Sequence, residues 1–142
     1  MQIGEVANRA EVSVETIRFY EHRGLIAQPP KPLDGGYRTY PEETVRRIRF
    51  VRNAQKLGFS IAEILELLEL RAADTACRIE VRRRAQAKFA EVEAKIEQLV
   101  RIKRLLSELL RSCSGKGPAR KCSILAAIDS GDLKLDIAPK GG

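Results

Sequence analysis

The chain has no tryptophan, one histidine, one methionine and three cysteines, and its aromatic share is 5%. Each shortage removes a class of protein. With His22 as the one imidazole, and with no nucleophile and base constellation or phosphate loop, the sequence carries nothing to perform catalysis, and an enzyme is not expected. An odd number of cysteines cannot pair fully within one chain, so a disulfide framework is not expected either. No apolar run approaches the roughly 20 residues that span a bilayer, and the N-terminus lacks a signal-peptide core. The expectation is a cytoplasmic protein with no membrane partner.

What is present is helical periodicity and positive charge. The 142 residues carry a formal charge of +7, which suits a nucleic-acid partner. Residues 1–60 hold ten basic and seven acidic side chains, residues 61–112 eleven and nine, and the rest five and three. No segment holds the excess, so local geometry must decide where it acts.

From Thr75 to Arg111 the apolar residues Ala85, Phe89, Val92, Ile96, Leu99, Leu106 and Leu110 step by three and four with one polar break at Lys103, which is a coiled-coil seam. The three thiols sit at the ends of this run, Cys77 at one end and Cys113 and Cys122 at the other. Such a helix is roughly 50 Å long, whereas sulfurs on one ion at about 2.3 Å lie within about 4–5 Å of each other. Cys77 therefore cannot share an ion with Cys113 of its own straight helix. An antiparallel partner brings it beside Cys113 and Cys122 of the other chain, giving a homodimer with two shared thiolate sites. Buried structural thiols are the plain alternative for any single cysteine.

The head precedes that arm. Gln2–Arg9 predicts a short amphipathic helix, and Ser13 can cap a second helix running to His22, with Gly24 as its stop. Two short helices across a tight turn form a helix-turn-helix whose second helix faces the major groove. Val14, Ile17 and Phe19 or Leu25 should face the core, leaving Thr16, Arg18, Tyr20 and Arg23 for DNA. A helical hairpin with solvated charges is the alternative. Asp34-Gly35-Gly36 before Tyr37-Arg38-Thr39-Tyr40 reads as a hairpin wing, in which Tyr37, Arg38 and Tyr40 offer donors to phosphate; for Tyr40 a packed turn competes. Pro41-Glu42-Glu43 opens a third helix, with Val45, Ile48, Val51, Ala54 and Leu57 inward and Arg46, Arg47, Arg49 and Arg52 mostly outward. Ser60 and Glu63 form a capping box for a fourth helix from Ile61 to about Leu70. These two helices read more as scaffold than as base readers.

The fold expected is thus mainly α: a winged helix-turn-helix head (1–73), a long antiparallel coiled-coil dimerisation helix (74–112), and a metal-binding loop, short helix and tail (113–142). Three soft thiolates with no obvious fourth donor suit a large polarisable ion, Hg(II) first, with Cd(II), Pb(II) and Zn(II) as competitors. Asp74 could complete a zinc site. A thiol-redox or metal-buffering protein is the competing function, and it has no use for the head.

Three segments carry a resemblance to a known family: Val14-Glu15-Thr16-Ile17-Arg18-Phe19-Tyr20 with Gly24-Leu25-Ile26, then Tyr37-Arg38-Thr39-Tyr40, then Leu57-Gly58-Phe59-Ser60. Over essentially its whole length the chain resembles the MerR-type bacterial transcription regulators. The spacing of Cys77, Cys113 and Cys122, flanked by Leu106-Ser107-Glu108-Leu109 and Ile124-Leu125-Ala126, is similar to that of members governing mercury resistance. The resemblance implies a homodimer on double-stranded promoter DNA with an over-long spacer, holding RNA polymerase unproductive until Hg(II), bound by Cys77 of one protomer and Cys113 and Cys122 of the other, makes it an activator by DNA distortion. The Gly, Pro and basic content between Cys113 and Cys122 departs from that pattern.

Overall fold

The computed structural model describes residues 1–75 and 78–131. Cys77, expected at one end of the long helix, and the tail from residue 132 lie outside the described residues. The chain packs as two compact units, Met1–Ala85 and Gln86–Gly142.

Two short helices open the first unit. Helix α1 (Ile3–Ala10) ends where Glu11 turns left-handed at φ 57, and the Val12 N–H returns to the Ala7 carbonyl at 3.0 Å. Helix α2 (Val14–His22) starts at Ser13, whose hydroxyl accepts from the Thr16 amide, as its sequence requires. Gly24 stops it at φ +75, a backbone state that costs a residue without Cβ little. Helices α3 (Glu42–Lys56) and α4 (Ile61–Ala72) follow, the latter with the full Ser60/Glu63 capping box.

Packing follows the apolar pattern of the sequence. Val6, Ile17, Leu25, Ile48, Val51 and Ile64 are fully buried, so all four helices and the stretch after α2 contribute to one core. Val14 is half-buried. Phe19 is exposed, leaving the inward position to Leu25. Leu57, expected on the buried side of α3, is 68% exposed, because it caps the helix where the backbone leaves the core-facing stripe.

One further expectation is corrected. No strand forms among the described residues, so the wing is an irregular loop and not a hairpin. The pairing groups of Tyr40 are taken elsewhere: its N–H donates to the Met1 carbonyl at 2.6 Å and its carbonyl accepts from the Met1 amino group at 3.2 Å. Asp34 instead closes a local turn by accepting from the Gly36 amide at 2.9 Å, a competition for backbone groups common to Asp and Asn. The arginines of α3 also do more than point outward. Arg47 donates to the Leu25 carbonyl (2.6 Å), Arg49 to that of Arg9 (2.7 Å), and Arg52 to that of Glu11 (2.8 Å). They satisfy acceptors that the end of α1 and the chain after α2 leave unpaired.

Helix α5 (Arg78–Ser112) is 35 residues long, about 52 Å at 1.5 Å per residue. In the second unit a turn of 3-10 helix (Ala119–Lys121) and helix α6 (Ser123–Ser130) follow, which bears out the short helix expected after the loop.

Candidate functional site

The head presents Arg18 from the middle of α2, exposed. Arg18 lines one concavity with Tyr37 and Arg38 of the loop, together with Gln2, Gln28 and Lys31. Tyr37 is 79% exposed. Arg38 is half-buried and held by a 2.9 Å bond from Nε to the Pro29 carbonyl, which fixes the loop end while leaving its terminal nitrogens to other partners. Thr16 is half-buried, with its hydroxyl 2.9 Å from that of Ser13. Arg23 stands at the end of α2, its guanidinium 5.8 Å above the Phe19 ring. A convex helix with guanidinium and hydroxyl donors beside a donor-bearing loop is suited to a groove edge and its flanking phosphates. Sequence reasoning missed Gln2, which caps α1, and Gln28 and Lys31, which stand outside any periodic segment and are placed by the fold of the loop.

Tyr20 does not line this concavity, and Tyr40 borders it while almost wholly buried. Both are 3% exposed, which corrects the expectation that they face DNA. The Tyr20 hydroxyl donates to Gln55 Oε1 at 2.7 Å and that of Tyr40 to Glu21 Oε2 at 3.0 Å. Each ring adds core area while its hydroxyl bonds a neighbouring helix, a use that buried tyrosines favour. Burial, then the bond to Glu21 and that carboxylate's charge, push the Tyr40 phenol up to about 12. Burial also raises Tyr20, opposed by the charge of Arg52.

The second candidate site lies past α5. Cys113 Sγ and Cys122 Sγ stand 3.7 Å apart, and both residues are half-buried free thiols. The amides of Leu125 and Ile124, at the start of α6, and then the Cys113 thiol hold Cys122 below its ordinary value. Two metal bonds of about 2.3 Å bridge up to about 4.6 Å between sulfurs, so this pair fits one soft ion. Among the described residues no third His, Cys, Asp or Glu joins them, and Cys77 is outside that set. Also among the described residues, no helix is long and apolar enough to cross a membrane.

A four-helix head that opens with two short helices across a tight turn, followed by one long helix and a thiol loop, defines a protein of the helix-turn-helix class. The family model "MerR HTH family regulatory protein" matches residues 1–70 and "MerR, DNA binding" matches residues 45–109. The chain is 42% identical, over 92% of its length and 89% of the relative's, to a mercuric resistance operon regulatory protein of Pseudomonas fluorescens. Among solved structures it is similar to the lead(II) complex of the transcription regulator PbrR691 from Ralstonia metallidurans CH34, with a TM-score of 0.78, 34% identity, and coverage of 90% of this chain and 98% of that one. It is similar also to the mercury(II) complex of the dual function regulator MerR from Bacillus megaterium MB1, with a TM-score of 0.63, 35% identity, and coverage of 91% and 99%. The chain belongs to the MerR family of transcription regulators.

Proposed function

We propose that this regulator responds to mercury(II) and controls a mercury-resistance operon from the cytoplasm, repressing without the ion and activating with it. The observation that carries the reading is the pair of free sulfurs 3.7 Å apart at the end of α5, a soft-donor set in a chain whose relative at 42% identity is a mercuric resistance operon regulator.

The third ligand is Cys77 of a second protomer. Arg78, its neighbour in sequence, begins α5 while Cys113 follows the helix's other end, and a helix of about 52 Å separates them. The exposed stripe Phe89, Ile96, Leu99, Leu106 and Leu110 supplies the antiparallel seam, each side chain contributing about 1.5–3 kcal/mol when fully buried. The functional division is then a DNA-binding head (1–73), a dimerisation helix (74–112) and a metal loop with its helix and tail (113–142). Thr16, Arg18, Arg23, Tyr37 and Arg38 meet promoter DNA, and RNA polymerase is the partner whose productive contact the metal controls. Mercury(II) supplies soft bonds to thiolates, and these must favour the activating arrangement over the repressing one. Deforming a promoter costs several kcal/mol, which is within the reach of metal coordination.

Transcription in vitro, titrated metal by metal, tests this. Activation by Hg(II) at concentrations at least tenfold below those of Pb(II), Cd(II) or Zn(II) is expected. The similarity to a lead(II)-bound regulator favours Pb(II) as the second reading, and a response to Pb(II) at lower concentration than to Hg(II) would establish it in place of the first.

A further inference from the structure

The loop from Cys113 to Cys122 contains Lys116, Arg120 and Lys121 and no acidic residue. Among the described residues none of the three cations enters a salt bridge. Gly115 and Gly117, at φ +75 and +97, fold the backbone on either side of Lys116. The result is an open cavity of about 350 Å³ lined by both thiols, Lys116 and Lys121. Two thiolates need no cations to bind a cation; fixed positive charge at that mouth opposes a bare metal ion and attracts an anion. A soft ion in a thiol-containing solution is carried as a thiolate complex, and carboxylates on the carrier make that complex anionic.

We propose that the cavity admits mercury(II) as the bis-thiolate complex of a small carboxylate-bearing thiol, with Lys116 and Lys121 attracting the carboxylates while the sulfurs exchange. The proposal rests on the mercury(II) reading of the thiol pair. In the first exchange one protein sulfur bonds the metal, one carrier sulfur leaves, and the protein thiol's proton goes to the departing thiolate. The second exchange repeats this at the other cysteine and releases the second carrier thiol. Mercury stays divalent throughout, and no oxidant or reductant is required. The cavity's volume and open mouth leave room for a carrier that still holds the ion by one bond.

Transfer to the full-length protein can be followed by the near-ultraviolet absorbance of the mercury–thiolate bonds formed. The donors are the mercury(II) complexes of 2-mercaptosuccinate, which is anionic, and of 2-mercaptoethanol, which is neutral. Each donor's rate is compared between wild type and the double variant Lys116→Gln/Lys121→Gln, so that the carriers' own affinities cancel. The variant should slow transfer from the mercaptosuccinate complex about tenfold and from the mercaptoethanol complex less than twofold. Raising ionic strength to about 0.5 M should abolish the difference, and Lys116→Arg/Lys121→Arg should restore the wild-type rate. Equal slowing with both donors would mean that the lysines act on the protein sulfurs and would overturn the proposal, as would no slowing with either. If wild type accepts mercury from neither donor, the mercury(II) reading fails along with it.

Discussion

Arg18 and Tyr40 show how differently two side chains expected on one surface can be employed. Arg18 is exposed and borders the concavity shared with the loop, so replacing it leaves the core intact and, on the proposed reading, removes a contact to DNA. Arg18→Ala should weaken operator binding about tenfold or more, the worth of one good polar contact to a base, while thermal stability and metal stoichiometry stay unchanged. An unchanged operator affinity in a gel-shift titration would remove Arg18 from the interface. Tyr40 reports on the core instead. Its phenol is raised to about 12, so the stability it confers is fully present below the ordinary tyrosine value near 10 and is lost as pH climbs from about 10 to about 12. Denaturation followed across that window should show a shallower alkaline loss for Tyr40→Phe than for wild type; identical slopes would contradict the assignment. That Tyr20 and Tyr40 are buried was not legible in the sequence, because the polar tip of tyrosine lets the same residue serve a wet face or a bonded core position. What decided the matter was a pair of long-range partners, Gln55 and Glu21, which no local pattern reveals.

The helices themselves were far more legible than the loop that joins them. Ser13, Gly24, the Ser60/Glu63 box and the acidic start of α3 each mark a terminus through a local interaction, and the structure ends the helices there. The wing was misread because Gly-Gly after Asp fits a hairpin equally well, while the pairing of Tyr40 with Met1 spans 39 residues. The α3 arginines lie mostly outward as expected, but their carbonyl partners were not legible for a similar reason. Their spacing puts them off the core stripe, yet their reach brings them back to the carbonyls at the end of α1 and the start of the loop after α2. Arg52→Ala should therefore destabilise the head by about 0.5–1.5 kcal/mol, the net worth of a hydrogen bond whose acceptor is open to water. Urea denaturation checks this, and a loss below about 0.5 kcal/mol would show that water replaces the guanidinium without cost. On α5 the expected seam is present as an exposed apolar stripe. Leu99→Glu/Leu106→Glu should convert the protein to a monomer in sedimentation while the head stays folded by circular dichroism; a variant that remained dimeric would place the interface elsewhere.

In the molecule as a whole, the proposed function links a DNA-binding head to a soft-metal site through a helix too long for one chain to close on itself. The sequence alone carried this far, because helix rise and metal–sulfur bond length are fixed quantities and the cysteines stand at the ends of the periodic run. What it could not supply was the approach of Cys113 to Cys122, which depends on how the loop between them folds. Site composition can be tested by mixing chains, each of which lacks part of the site. Neither a Cys77→Ser homodimer nor a Cys113→Ser/Cys122→Ser homodimer should hold mercury(II) tightly in competition with excess small thiol. Co-folding the two chains and counting tightly held mercury per heterodimer is the most direct measurement. The account predicts one ion, bound by Cys77 of one chain with Cys113 and Cys122 of the other; a heterodimer that binds no better than either parent would contradict a site shared between subunits.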